Sequence, residues 1–535
     1  MRYIKRGVAL FLCVAMILGV IGFNKTDSDA AGLYIVRVGL TEHLKAQDSI
    51  NISTKKIAIG YCVNNTYSEY IHFYNAKGFT FKPATGYYLV SNKVYPTYAK
   101  AIAAYNKAMK LSASKKYTYL CMTGKNKWNI YVGGVNDIDT VNSFKSKLNS
   151  KLKTTFSITS YNGHRVVISG GKTNLMYDGA DSGQYVQIVA NVLNAKGSQT
   201  LTANGYEYRG RMEIAPYGGD KLTVVNVLNV ENYLRGCVGT QMDATYPHEA
   251  LRAQAVASRT YAEHVCNNTG DTNVKVPYTL NDTASSQEYG GYAKENARAV
   301  TGVTSTRGIT IFGNGDQIES RYFLSSGGMT ESAVNIWGLN KDYLTSVADA
   351  EDIVYGGEPW VKSFSVSELS DKFKVGKVTN VSVDSMTDSG RIYALTITGD
   401  TGSITLKGEN ILNQLDLPSS RARIITNEEP NTKVSILSAE GVSEVDSLKS
   451  CYALSNKDSV ATLDNGLKQY VVIGANDARS YMASNGYTDG EFTFAGVGYG
   501  HGVGMSQAGA KALAKKGKTY KQILKYYYGS QVTIQ

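Results

Sequence analysis

Residues 231–265 read ENYLRGCVGTQMDATYPHEALRAQAVASRTYAEHV, and the reading of this stretch decides the fold. Pro247 and Glu249 stand where a first helical turn tolerates a missing N–H and favours negative charge. Ala250, Ala253, Ala257 and Tyr261 then recur at helical spacing, joined by Leu251 and Ala255. A face made mostly of alanine lets another backbone come close, so the spacing predicts a buried helix. Upstream, LTVVNVLNV (222–230) predicts a strand, and Gly236–Tyr246 reads as the loop between strand and helix. A loop held between two fixed elements is a natural seat for a site. The plainer alternative is a core helix with its leading turn.

Outward from this centre, residues 155–230 read almost wholly as strands separated by Gly-Gly and Asn-Gly turns. Downstream, YFLSSGGMTESAVNIWG (322–338) offers two glycines for close backbone approach and short hydroxyls for polar contacts. SVSELSDKF carries a Ser-x-x-Glu capping pattern, and Thr519 with Gln522 forms another before the last helix. Glycines at alternate positions from 496 to 504 leave one strand face bare, with His501 among them. Either a ligand chain or a second backbone can lie on such a face. The glycine run at 496–504 matches neither the G-x-x-x-x-G-K-[ST] nor the G-x-G-x-x-G phosphate loop. The fold expected is α+β: a β-rich domain (155–535) with a central buried helix and a C-terminal helix, preceded by small α/β modules (32–154). Residues 428–490 read as an inserted β subdomain.

Four ordered blocks carry a family resemblance: 231–265, 322–338, KDYL (341–344), and GVGYGHGVGMSQAGAKALAKKGKTYKQILKYYYG (496–529). Together they resemble the stage II sporulation protein D family, which includes the LytB amidase enhancers. KWNIYVGGVNDIDTVNSFKSKL, beginning at Lys127, loosely resembles a SPOR domain, in which Trp128, Tyr131 and Tyr117 would either stack on sugars or sit in the core. The resemblance implies an extracytoplasmic protein acting on peptidoglycan glycan strands, in sporulation or wall remodelling, with an N-acetylmuramoyl-L-alanine amidase as a possible partner. Sporulation members are lytic transglycosylases whose catalytic Glu matches Gln241 here. The family groove implies substrate contacts at Arg259, Gln287, Tyr289, Ser325, Ser326, Gly327, Gly328, His501, Ser506 and Gln507. Some members bind zinc; His264 and Cys266 find no second ligand pair in the sequence, so no metal and no cofactor is expected.

Lytic transglycosylation needs one group that gives a proton to the glycosidic oxygen and then removes one from the muramyl 6-hydroxyl. Glutamine cannot do this. Impaired catalysis is therefore expected, with the alternatives of an active enzyme that uses Glu249 or Glu331, or an amidase-enhancing scaffold.

Composition bounds the setting. The chain has 535 residues, 39 of them Tyr, and a net charge of +11. The charges read as scattered along it. Residues 1–31 have a basic start and an apolar run, expected to be a signal peptide or an uncleaved membrane anchor. Without that segment the charge is about +9. Secretion argues against nucleic acid and leaves the membrane reachable only through the N-terminal segment. The six cysteines form no C-x-x-C motif.

Overall fold

In a computed structural model, the strand before the central helix forms as its sequence predicts, and a sheet grows around it. The structure describes residues 34–425 and 490–535 apart from short gaps at 64–65, 112–114, 125, 172, 180–183, 269–276 and 357–358; between 426 and 489 only short strands are described. The expected signal or anchor at 1–31 lies outside the described residues. No helix among them is long and apolar enough to cross a membrane.

Seven strands make the central sheet: β1 (Ile35–Gly39), β2 (Lys56–Val63), β3 (Thr66–Tyr74), β4 (Gln187–Ala190), β5 (Arg211–Ala215), β6 (Thr223–Asn229) and β7 (Leu280–Asn281). Their order is β7-β1-β6-β5-β4-β2-β3. β1 runs antiparallel to β6, with Val36 opposite Leu228 and Val38 opposite Asn226. The sheet thus draws strands from both sides of residue 154. β5 is buried throughout, Arg211 and Glu213 included, and β6 is buried from Val224 onward.

A ten-stranded sheet includes Phe79–Pro83, Thr118–Gly124 and Lys127–Val135 and carries the helices Tyr98–Ala108 and Lys145–Leu152. Trp128 and Tyr131 belong to its core, and the Tyr131 hydroxyl donates to Asp178 at 3.0 Å. Neither ring is free to meet a sugar.

The described residues divide into two compact units. The first contains the chain up to Ala244 and Ala262–Gly308; the second contains Thr245–Tyr261 and Ile309–Gln535. Helices α1 (Val230–Gln241) and α2 (His248–Asn268) follow β6 directly. α1 corrects the loop expected from Gly236 onward. Gly236 and Gly239 are helical because their missing side chains admit the 289–294 segment. A Cβ would lie 2.7 Å from the Gly291 carbonyl oxygen at Gly236 and 2.1 Å from that of Lys294 at Gly239. A helical glycine costs about 1 kcal/mol against alanine, and here close packing offsets it. Only Met242–Tyr246 remains as the turn into α2, whose alanines are buried as their spacing predicts.

In the second unit, Trp360–Ser365, Glu491–Gly496 and Ala422–Ile425 form one sheet and Val378–Met386, Ile392–Gly399 and Ser403–Lys407 another, around a shared core containing Phe494, Ile397 and Leu415. Ala422–Ile425 pairs directly with Glu491–Gly496, so the inserted residues leave and return at adjacent strands. Within the insertion, Val434–Ser438 pairs with Gly441–Val445, Tyr452–Leu454 with Val460–Thr462, and Gln469–Ile473 with Ala478–Met482. The capping boxes at Ser365/Glu368 and Thr519/Gln522 both form. They open Val366–Phe373 and α4 (Tyr520–Tyr528), the latter preceded by α3 (Gln507–Lys515).

Candidate functional site

In the first unit the site residues gather on and beneath α1. Asn229 caps the helix by accepting from the Asn232 amide at 2.8 Å, and buried Glu231 accepts from the Gly308 amide at 3.1 Å. Gln241 is the last helical residue and is half-buried; Asp243 is exposed. A helix C-terminus carries partial negative charge, which favours the protonated form of a carboxylic acid placed there. The position therefore suits a general acid, and an amide occupies it.

Gln287 and Tyr289 were expected to line a groove. Both are buried instead. The Gln287 Oε1 accepts from the Tyr233 hydroxyl at 2.9 Å and from the Cys237 thiol at 3.5 Å. Tyr289 donates to Asn226 Oδ1 at 2.9 Å and packs against the Tyr233 ring. Their work is to seat α1 on the sheet.

In the second unit, the SSGG turn and the glycine-rich stretch come together. Tyr322–Phe323 pairs in parallel with Met505–Ser506. Ser325 exchanges two main-chain hydrogen bonds with Tyr499, and the Glu331 amide donates to the Gly502 carbonyl at 2.7 Å. Gly498, Gly500, Gly502 and Gly504 all have positive φ, between 77° and 97°, a region glycine enters without penalty. The bare face expected for a ligand is filled by the chain itself. A Cβ would meet the Trp360 ring at Gly496, the Ser325 carbonyl at Gly498, the Arg391 guanidinium at Gly502 and the Arg321 carbonyl at Gly504, at 2.0–2.8 Å. Of the two sequence readings, the second backbone is the one realised, together with two buried side chains.

Buried carboxylates tie this assembly together. Asp352 accepts from the Ser325 hydroxyl at 2.7 Å, from the Ser326 and Gly327 amides at 2.9 Å each, and from the Ser506 hydroxyl. Ser506 also caps α3, accepting from the Gly509 amide at 3.0 Å. Asp349 precedes Asp352 by one 3-10 turn and accepts from the Tyr527 hydroxyl at 2.9 Å, while its Oδ2 has no hydrogen-bond partner. Burial and then the Asp352 charge push the Asp349 pKa up to about 7, against the Tyr527 hydrogen bond that lowers it.

The two carboxylates considered as replacement acids are engaged elsewhere. Glu331 is buried, and four donors fill both its oxygens: the Ser332 amide, Asn335 Nδ2, and the Thr387 and Ser389 hydroxyls, at 2.6–2.8 Å. Glu249 accepts from the Tyr520 amide at 2.6 Å, at the start of α4, and from Arg252 at 2.9 Å. Burial alone would raise the Glu249 pKa, but these two donors outweigh it and the carboxyl titrates below its usual range. A general acid at neutral pH needs the opposite shift.

Arg259, expected to bind substrate, is fully buried and donates to the Ile309 carbonyl at 3.1 Å. Gln507 is buried against Gln254, with Nε2 3.4 Å from the Gln254 Oε1. His501 reaches water only in part. Its Nδ1 accepts from the Val503 amide at 3.1 Å, and its ring lies 5.0 Å from Trp337 and 5.5 Å from Phe323. Loss of hydration, then the positive charges of Arg321 and Arg391, lower its pKa to about 3. It is neutral at physiological pH. The Arg321 guanidinium lies 5.0 Å from the Trp337 ring. Gly328, Trp337 and His501 are among the partly exposed residues of this assembly.

Sequence reasoning missed Asp349, Asp352, Arg391 and Tyr527. The first two lie in ADAEDIVYG (348–356), where nothing in the spacing separates buried carboxylates from solvated ones.

Comparison with known proteins agrees with the first of the ordered blocks, 231–265. A family model described as Stage II sporulation protein matches residues 218–312. The amidase enhancer of Bacillus subtilis (strain 168) is 29% identical over 399 residues, covering 73% of this chain; the chain spans 52%, about half, of that relative's length. An uncharacterised protein of Brachyspira hyodysenteriae is 29% identical over 333 residues, covering 61% of this chain and 72% of its own. Stage II sporulation protein D of Bacillus subtilis (strain 168) is 27% identical over 359 residues, covering 63% of this chain and 82% of its own. The chain is thus similar to stage II sporulation protein D and to an amidase enhancer, and the family model places that likeness at residues 218–312.

Proposed function

We propose that this protein binds the glycan strands of peptidoglycan outside the cytoplasm, in wall remodelling or sporulation, with catalysis impaired by the glutamine at 241. The observation that carries the reading is the state of the carboxyl groups. Gln241 ends a helix where a proton-holding acid would be favoured, and it cannot hold a transferable proton. Glu249 is held by the Tyr520 amide and Arg252, and Glu331 by four donors. Loss of general acid–base action removes roughly 10²–10⁴-fold in rate. Binding has separate support: the partly exposed Trp337 and His501 rings lie 5.0 Å apart, and a flat amphipathic ring suits a sugar face. A relative named as an amidase enhancer supports an amidase as partner.

The test uses denuded glycan strands. Wild type should co-sediment with insoluble wall and release no anhydro-muropeptides, and Gln241→Glu should release them. Release by wild type that survives Gln241→Ala would overturn the assignment. Failure to co-sediment would overturn the binding.

A further inference from the structure

Six of the chain's +11 net charges stand in its last 44 residues, which corrects the reading of charges scattered along it. From Phe492 to Gln535 there are six lysines and no Asp, Glu or Arg. All six, Lys511, Lys515, Lys516, Lys518, Lys521 and Lys525, lie between the start of α3 and the last turn of α4. Both helices turn their apolar residues inward: Ala508, Ala512 and Leu513 on α3, and Ile523, Leu524, Tyr527 and Tyr528 on α4 are buried. The lysines are left outside, Lys511 half-buried and the other five exposed. Among the described residues only Lys516 has a carboxylate partner, Glu351.

The arrangement of Lys511 and Lys515 is specific. The Lys511 ammonium lies 4.5 Å from the Tyr246 ring centroid and 5.5 Å from that of Tyr355; the Lys515 ammonium lies 4.2 Å from Tyr355. Like charges four residues apart on a helix repel, and the ring faces hold them in place by cation–π attraction. A pair of cations kept in position without a counter-charge gains most from an incoming anion.

We propose that this face binds a flexible polyanion with phosphodiester charges on a polyol or sugar backbone. Lysine supplies point charges on long stems, which suit phosphate without demanding one geometry, and the region has no arginine for bidentate recognition. The helices keep no apolar face to sink into a bilayer. The Tyr355 ring is already taken by ammonium groups, so it does not offer the open aromatic platform that stacks nucleobases.

The experiment titrates the full chain with poly(glycerol phosphate), at low salt and near physiological salt. Binding is expected, weakening with salt as counterions are released. The double variant K511Q/K515Q should bind about tenfold more weakly, and its salt slope should drop by about 1.4, the share of two phosphate contacts. K147Q/K151Q removes an exposed lysine pair of the same spacing from the helix Lys145–Leu152. That control should change the affinity by less than about twofold. Absence of binding would overturn the proposal, as would equal losses in the two double variants. So would equal or tighter binding to vesicles rich in phosphatidylglycerol, or to single-stranded DNA at matched phosphate. Because the readout needs no glycan, failure here leaves the glycan-strand reading to its own test.

Discussion

Two glycine-bearing stretches of this chain are held by different physics. In α1, Gly236 and Gly239 have ordinary helical backbones, and what matters is only the missing Cβ, which lets residues 289–294 approach. In the 498–504 stretch the glycines serve twice: the backbone needs positive φ at every second residue, and the space a Cβ would take is already filled. The first stretch is seated by neutral contacts such as Tyr233–Gln287. The second is pinned by buried charge, with Asp352, Glu331 and Arg391 all essentially closed to water. Glycine spacing alone does not reveal which regime applies.

The contrast can be broken at its strongest point by Asp352→Ala. Four donors would lose their acceptor in a buried place, so a loss of about 4 kcal/mol or more is expected in chemical denaturation of the second unit. Gly504→Ala comes next. Its φ is +83° and the new Cβ would lie 2.0 Å from the Arg321 carbonyl oxygen, so backbone strain and overlap should together cost about 3 kcal/mol. Gly239→Ala sharpens the comparison from the other side. Alanine gains about 1 kcal/mol of helix propensity, yet the overlap with Lys294 should leave a net loss of about 1–2 kcal/mol in chemical denaturation of the first unit. If Gly239→Ala stabilises, the close approach of residues 289–294 is not needed.

A smaller, pH-dependent effect separates Asp349 from the carboxylates whose oxygens are all satisfied. Its folded pKa is raised to about 7 from the ordinary 3.8. The folded state therefore holds this proton more tightly than the unfolded one. The stability it contributes is complete below about pH 4 and is lost as pH rises through 7, at no more than about 1.4 kcal/mol per unit. Thermal midpoints of wild type should fall over that window relative to Asp349→Asn, which has no such proton to lose. Parallel curves would show that Asp349 ionises normally. The least effect on stability is expected from Gln241→Glu, within about 0.5 kcal/mol at a half-exposed helix end, and this separates its activity readout from folding.

Much of the architecture follows from local pattern. Alternating and continuous apolar runs determine β1, β5 and β6, alanine at helical spacing determines α2, and the Ser365/Glu368 and Thr519/Gln522 pairs mark where helices begin, because each of these signals acts between residues a few positions apart. The sequence alone also identified the amide at 241 and brought the SSGG and glycine-rich blocks into one expected site. Tertiary structure decided the rest. That Gln287 and Arg259 are interior, that Glu331 and Glu249 are already engaged, and that the bare glycine face is covered by Trp360, Arg391 and neighbouring main chain all depend on partners dozens to hundreds of residues away. A polar residue's role is set by which distant donors reach it and by how much water it keeps, and neither quantity is written in its sequence neighbours.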